Sequence, residues 1–265
     1  MYNSFQLAKK YIQYWWNASN GKGHGVHSPF VFEFIIKVLN DAKSYDGFDA
    51  IEKLRSQLHH NNTLLIIEDF GAGSRTGATK QRSVQSIARA ALKPKKFAQL
   101  LHRIARFYEC KTIVELGTSL GITSAYLAQS PATQKLYTLE GSPAIASVAK
   151  QNFEALTLTN IEQVVGNFDE TLAPLLQRSG PVDLLYIDGN HRYEPTIRYF
   201  EQAFPHLHEY SIVVFDDIHW SAEMEQAWHQ VIADERVTMS IDLFFIGLVF
   251  FRKDFKIKQD FGIRF

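Results

Sequence analysis

The sequence predicts an α/β fold: a doubly wound, mostly parallel sheet with helices on both faces, a C-terminal antiparallel hairpin and an N-terminal helical cap. Three observations predict it. From residue 111 onward, short apolar runs at 112–116, 135–140, 161–165, 182–187 and 211–215 alternate with helical patterns. That is the rhythm of strands buried on both faces and joined by crossover helices. The runs at 237–241 and 244–251 are separated only by a short turn around Asp242, whereas a parallel crossover needs a dozen residues or more. The first third of the chain shows helical spacing almost throughout.

Taken in order, residues 5–17 place Phe5, Ala8, Tyr11, Ile12, Trp15 and Trp16 at helix-like intervals. A glycine-rich break at 21–25 follows. Ser28 and Pro29 then open a second helix as N-cap and first-turn proline, running through Val31, Ile35 and Leu39. A third helix is expected at 48–60. An apolar piece at 64–67 leads into Gly71, Ala72 and Gly73, read as a turn or as part of a lid, and two helices follow near 81–91 and 94–109. Within the alternating region the helices fall near 121–129, 142–157, 169–178, 193–206 and 220–234.

Composition narrows the function classes. The 265 residues carry 28 Lys plus Arg against 28 Asp plus Glu, for a net charge of zero, which disfavours a globally basic nucleic-acid binder. Hydrophobic residues make up 46% and charged residues 21%, as in a globular protein. The single cysteine, Cys110, excludes an intramolecular disulfide framework and suits a reducing compartment. The longest apolar run, 243–251, is half of what a membrane-spanning helix needs. The N-terminus has no basic region followed by an apolar one, so a cytoplasmic location is expected.

The chemistry is concentrated at strand ends. The segment Glu115, Leu116, Gly117, Thr118, Ser119, Leu120, Gly121 reads as strand, glycine turn and helix, a place where the backbone comes close to a ligand. Glu140, 25 residues after Glu115, ends the next strand, where a carboxylate can hold both hydroxyls of a ribose. The glycines do not follow the dinucleotide spacing, which disfavours a nicotinamide-dependent oxidoreductase. A rival segment at 66–73 has no acid at the required distance and is rejected as the cofactor loop.

In these residues the sequence resembles the class I S-adenosylmethionine-dependent methyltransferases, over roughly residues 95–265. The resemblance implies their Rossmann-like sheet. It also implies cofactor binding by Glu115, Gly117, Ser119, Gly121, Glu140, Gly166, Asn167, Phe168 and Asp188. Residues 115–121 match the first motif, Glu140 the ribose position and 165–168 the third-strand motif beside the adenine.

Asp188 at the fourth strand end and Asp216 and Asp217 at the fifth should converge, since ligands bind outside the carboxyl ends of such strands. Clustered carboxylates repel one another, and a divalent cation such as Mg²⁺ relieves this. The arrangement is similar to the cation-dependent small-molecule O-methyltransferases of the catechol and caffeoyl-CoA type. That similarity implies Asp188, Asp216 and Asp217 as metal ligands. The family has Asp then Asn where this chain has Asp216 then Asp217, and a catalytic lysine where this chain has His191. Histidine can act as a general base near neutral pH, so His191 and Asp188 are the expected catalytic residues. His219 and Trp220 are weighed as substrate-facing, and His24 and His27 as structural or capping residues.

The neutral total conceals a segregation. Nine basic residues and no acid lie between Arg75 and Arg106, while nine acids stand against Arg192 and Arg198 between Asp183 and Glu225. The basic run is read as solvated helix faces.

The expectation is a helical extension at 1–94 and a methyltransferase domain at 95–265 acting on a small-molecule hydroxyl. The alternatives are a metal-free methyltransferase acting on nitrogen or a macromolecule, and a non-catalytic S-adenosylmethionine-binding or dimerisation protein. The N-terminal aromatics are read as core, as a wall over the substrate, or as a homodimer face.

Overall fold

The computed structural model describes residues 1–68 and 79–265. In chain order the helices are α1 (Ser4–Asn17), α2 (Pro29–Phe34, continued by a π-helical turn Ile35–Leu39), α3 (Phe48–Leu58), α4 (Val84–Ala91), α5 (Lys95–Phe107), α6 (Ile122–Ala128), α7 (Pro143–Ala155), α8 (Phe168–Ser179), α9 (Tyr193–Ala203) and α10 (Ala222–Ala233). The strands are β1 (Leu64–Glu68), β2 (Thr79–Ser83), β3 (Thr112–Leu116), β4 (Lys135–Glu140), β5 (Ile161–Val165), β6 (Val182–Ile187), β7 (Leu207–Asp216), β8 (Met239–Asp242), β9 (Ile246–Phe250) and β10 (Gln259–Gly262). The chain divides into two compact units, Met1–Asp41 with Pro181–Phe265, and Ala42–Gly180.

In the Ala42–Gly180 unit, β3 pairs parallel with β4 and β4 parallel with β5. The helices between them carry the crossovers that parallel pairing demands. β3 is apolar and almost wholly buried. A core of Phe48, Ile51, Leu54, Ile67, Val84, Ile87, Leu120, Ile122 and Tyr126 joins α3, α4, α6 and β1, with Ala144, Ile145 and Val148 of α7 packed against it. Each large apolar side chain buried there contributes about 1.5–3 kcal/mol.

β1 and β2 pair antiparallel, so the first residues of the helix expected near 81–91 are strand instead. The helix begins at Val84, with the Ser83 hydroxyl accepting from Ser86 N–H at 3.1 Å. Residues 79–83 are polar and give no apolar alternation, so their strand is set by pairing with β1. The Gly71–Gly73 turn lies outside the described residues.

In the other unit, β6 pairs parallel with β7, β7 antiparallel with β9, and β9 antiparallel with β8. The expected closing hairpin is therefore present. β10, which the sequence reading did not anticipate, adds a strand parallel to β8. Its sequence, Gln259-Asp260-Phe261-Gly262, has little β-propensity, and main-chain pairing with a distant strand decides its conformation.

α1 starts with a capping box between Asn3 and Gln6. Its Tyr11 and Tyr14 pack on Phe244, at ring-centroid distances of 5.0 and 5.3 Å. Phe5, Ile12 and Trp16 are exposed on the same helix. Ser28 caps α2, with Pro29 in the first turn, as the sequence predicts. Among the described residues, no helix is long and apolar enough to cross a membrane.

Candidate functional site

The glycine loop follows β3. Gly117, Ser119 and Gly121 all have positive φ, at 107°, 47° and 81°, and the N–H groups of Gly117 and Thr118 both donate to the Leu139 carbonyl at 3.0 Å. Gly121 is doubly constrained: its φ is left-handed, and a Cβ there would lie 2.5 Å from the Phe153 ring of α7. Below the loop, the buried Glu115 carboxylate accepts from the Thr138 hydroxyl at 2.6 Å and from the Ser124 hydroxyl, tying β3, β4 and α6 together.

Glu140, the last residue of β4, accepts from Ser119 N–H at 2.9 Å and from Ser142 N–H at 3.0 Å. Burial pushes its carboxyl above the usual carboxylate range, against the lowering effect of backbone N–H groups at Ser142, Ser119 and Gly141. The side-chain hydroxyls of Ser119 and Ser142 are buried and have no hydrogen-bond partner among the described residues. Two unpartnered hydroxyls thus flank one buried carboxylate. Buried polar groups in folded proteins are normally satisfied, so this cradle fits a ligand rich in hydroxyl and polar groups.

At the end of β5, Gly166 has φ 142° and donates to the Glu140 carbonyl at 2.9 Å. The Asn167 side chain accepts from Asp169 N–H at 3.1 Å as the N-cap of α8. Phe168 is half-buried in the first turn of that helix.

The second cluster lies in the other unit, at the ends of β6 and β7. Asp188 follows β6, and its Oδ2 accepts from the buried Tyr186 hydroxyl at 2.9 Å. Alternation along the strand puts residues two apart on one face, so Tyr186 was a detectable partner of Asp188 that the sequence reading missed. His191 Nε2 stands 3.5 Å from Asp188 Oδ1. Asp216 is the buried final residue of β7. One ligand atom each from Asp188, His191 and Asp216 lies within 4.8 Å of the others.

Asp217 is not in that group. It has φ 52°, and its N–H donates to the Phe245 carbonyl at 2.7 Å. The donor set of Asp188, His191 and Asp216, two carboxylates and an imidazole, fits a divalent cation.

His219 is engaged elsewhere. Its Nδ1 lies 3.1 Å from Glu225 and its Nε2 2.8 Å from Asp242, and its ring stacks on Phe244. Burial opposes its protonation, but the two carboxylates outweigh burial and raise its pKa above 6.5. Glu225 also takes the Tyr2 hydroxyl at 2.7 Å and the Lys10 ammonium at 2.9 Å. His24 and His27 are in no metal-ligating group among the described residues.

With this geometry in hand, the chain can be compared with known proteins. A family described as a methyltransferase domain matches residues 114–218, from the glycine loop to the acid pair. A catechol O-methyltransferase of Niastella koreensis is 29% identical over 163 residues, covering 60% of this chain and 71% of that protein. An uncharacterised protein of Acanthamoeba polyphaga mimivirus is 26% identical over 148 residues, covering 51% of this chain and 66% of its own length. Two solved structures share the fold. The O-methyltransferase TomG from Streptomyces achromogenes, in complex with SAM, has a TM-score of 0.55 at 20% identity, covering 80% of this chain and 92% of that one. A methyltransferase of Podospora anserina, bound to SAH, has a TM-score of 0.58 at 12% identity, covering 96% and 98%. The matched methyltransferase domain and these relatives, together with the order of glycine loop, strand-end carboxylate and acid-bearing strand ends, make the chain similar to the S-adenosylmethionine-dependent O-methyltransferases of the catechol and caffeoyl-CoA type.

Proposed function

We propose that this methyltransferase moves the methyl group of S-adenosylmethionine to a hydroxyl oxygen of a small molecule. The carrying observation is the convergence of Asp188, His191 and Asp216 at two strand ends, a reactive cluster suited to orienting and deprotonating a hydroxyl. On this reading Gly117, Ser119 and Gly121 line the cofactor with backbone and hydroxyl groups. Glu140 takes its ribose hydroxyls beside Ser119 and Ser142, and Gly166, Asn167 and Phe168 border its base. Glu115 supports the loop from below. A divalent cation, when bound, lowers the pKa of a coordinated hydroxyl and fixes its direction.

Asp188 and Asp216 are the carboxylates for that ion. Asp217, expected from the sequence as a third ligand, stands outside the converging group. In the cation-free protein, His191 is the proton acceptor the cluster offers. The acceptor oxygen attacks the methyl carbon in line, the C–O bond forms as the C–S bond breaks, and the hydroxyl proton leaves to His191. Alignment supplies much of the rate.

Residues 1–94 are read as the source of acceptor preference. The packing of α1 on Phe244 and Phe245 supports this, since Phe245 also holds the Asp217 backbone. The single cysteine, Cys110, allows no intramolecular disulfide, which suits a reducing, cytoplasmic setting.

The test is methyl transfer from labelled S-adenosylmethionine to a panel of catechols, phenols, amines, peptides and RNA, with and without EDTA. Labelled methyl ethers are expected, formed markedly more slowly in EDTA, where His191 alone is left to take the proton. Transfer only to amines or macromolecules would overturn the hydroxyl assignment, and undiminished transfer in EDTA would remove the cation.

A further inference from the structure

We infer that His191 is itself a ligand of the divalent cation, so that the centre takes a first-row transition dication in preference to Mg²⁺. The inference deepens the proposed function and rests on its reading of Asp188 and Asp216 as a cation site. Three observations carry it.

First, His191 Nε2 and Asp188 Oδ1 are 3.5 Å apart. That is longer than the 2.7–3.2 Å of an N–H···O hydrogen bond. It matches the spacing of roughly 3–3.5 Å between neighbouring donors around an ion with bonds of about 2.0–2.2 Å. Second, the Tyr186 hydroxyl occupies Asp188 Oδ2, the other carboxylate oxygen, at 2.9 Å. An outer-shell donor on the second oxygen is the arrangement that orients a ligating carboxylate. Third, the Asp216 donor lies within 4.8 Å of both other atoms, so all three donors stand around one small space.

An imidazole nitrogen changes which ion is favoured. Mg²⁺ binds oxygen donors in a near-ideal octahedron and gains little from nitrogen. Imidazole suits Zn, Cu, Fe and Ni, and affinities rise along the first row from Mn²⁺ to Cu²⁺. With a cation held by Asp188, His191 and Asp216, the Nε2 lone pair would be engaged, so His191 would take the proton only in the cation-free protein, and the proton of a hydroxyl acidified by the cation would pass to solvent water.

The test uses the full chain stripped with chelator and titrated calorimetrically with Mn²⁺, Zn²⁺ and Mg²⁺. Pulsed electron paramagnetic resonance of the Mn²⁺ form then looks for nitrogen coupling from a directly bound imidazole. Mn²⁺ outbinds Mg²⁺ at many all-oxygen sites, so preference alone does not decide the matter. The deciding results are the nitrogen coupling and its response to His191→Ala and His191→Gln. The expectation is a clear nitrogen coupling in the unsubstituted protein that vanishes in both variants. Mn²⁺ and Zn²⁺ affinity should fall by at least the roughly 10–100-fold typical of losing an outer-shell partner, while Mg²⁺ affinity stays within about threefold.

No nitrogen coupling in the unsubstituted protein overturns the inference without recourse to any variant. So does coupling that survives in His191→Ala, or an equal loss of Mg²⁺ and Mn²⁺ affinity. Nitrogen coupling in a protein that methylates only amines sustains the ligand assignment and removes the hydroxyl reading, so the two fail separately.

Discussion

Glu140 stands between two opposing demands. Burial raises its pKa, while the N–H groups of Ser142, Ser119 and Gly141 favour the carboxylate and offset only part of that rise. Because the folded pKa lies above the unfolded one, the ionised form costs stability, and the fold gains stability as pH falls through the window between the two values. Ribose hydroxyls need the carboxylate as acceptor. Cofactor affinity should therefore weaken on acidification at a pH higher than for an ordinary glutamate. Calorimetric titration with S-adenosylmethionine at pH 8 and pH 5 should show this loss, and Glu140→Gln should bind at least tenfold more weakly at pH 8. Equal affinity in that variant would remove Glu140 from the cofactor site.

His219 shows the opposite linkage. Its burial disfavours the cation, but Asp242 and Glu225 overcome it and the pKa rises above 6.5. Its stabilisation is complete below the unfolded pKa and is lost as pH rises through the higher folded value. The melting temperature should fall by a few degrees between pH 6 and pH 9, and His219→Gln should flatten that slope. An unchanged slope would show that the imidazole is not the titrating group.

At the scale of elements, the loop between β3 and α6 depends on Gly121. Alanine there meets both a left-handed φ of 81° and a Phe153 ring carbon 2.5 Å from its Cβ. The two penalties, about 1–2 kcal/mol for backbone handedness and about 1–3 kcal/mol for overpacking, give a loss of roughly 2–5 kcal/mol. Denaturant unfolding of Gly121→Ala measures it, and adding Phe153→Leu should recover the steric share and leave the backbone share.

Elements also differ in how much of them the sequence discloses. β3, β6 and the buried second half of β7 were legible because burial on both faces requires apolar runs. β2 and β10 were not, because Thr79–Ser83 and Gln259–Gly262 are polar and their pairing partners lie elsewhere in the chain. The π-helical turn at Ile35–Leu39 was likewise invisible, since its spacing of buried residues also satisfies an α-helix.

At the scale of the whole molecule, the zero net charge divides unevenly. Ala42–Gly180 holds 16 basic and 12 acidic residues, and the remainder holds 12 basic and 16 acidic. The acids of the second group include the cluster at the ends of β6 and β7. Cofactor binding should stabilise the folded chain by mass action, by about 2.7 kcal/mol at a hundredfold excess over Kd. For a chain of this size that corresponds to a rise of roughly 5–10 °C in melting temperature. Thermal unfolding with S-adenosylmethionine and with NAD checks this. A rise with NAD alone would contradict the glycine spacing of 117 and 121.

The sequence by itself determined the α/β class, the order of most strands, the glycine loop with Glu140 behind it, and the acids at the ends of β6 and β7. These follow from local periodicity and from residues fixed to strand termini. Only the tertiary structure decided which side chains meet. Asp216 joins Asp188 and His191 while its neighbour Asp217 does not. The reason is that successive residues at a strand end project to opposite sides, and Asp217 already sits in a left-handed turn held by Phe245. Likewise, Ser142 gained its place beside Glu140 through the fold of one turn. Contacts of that kind depend on the direction in which the chain leaves a strand, which residue spacing does not encode.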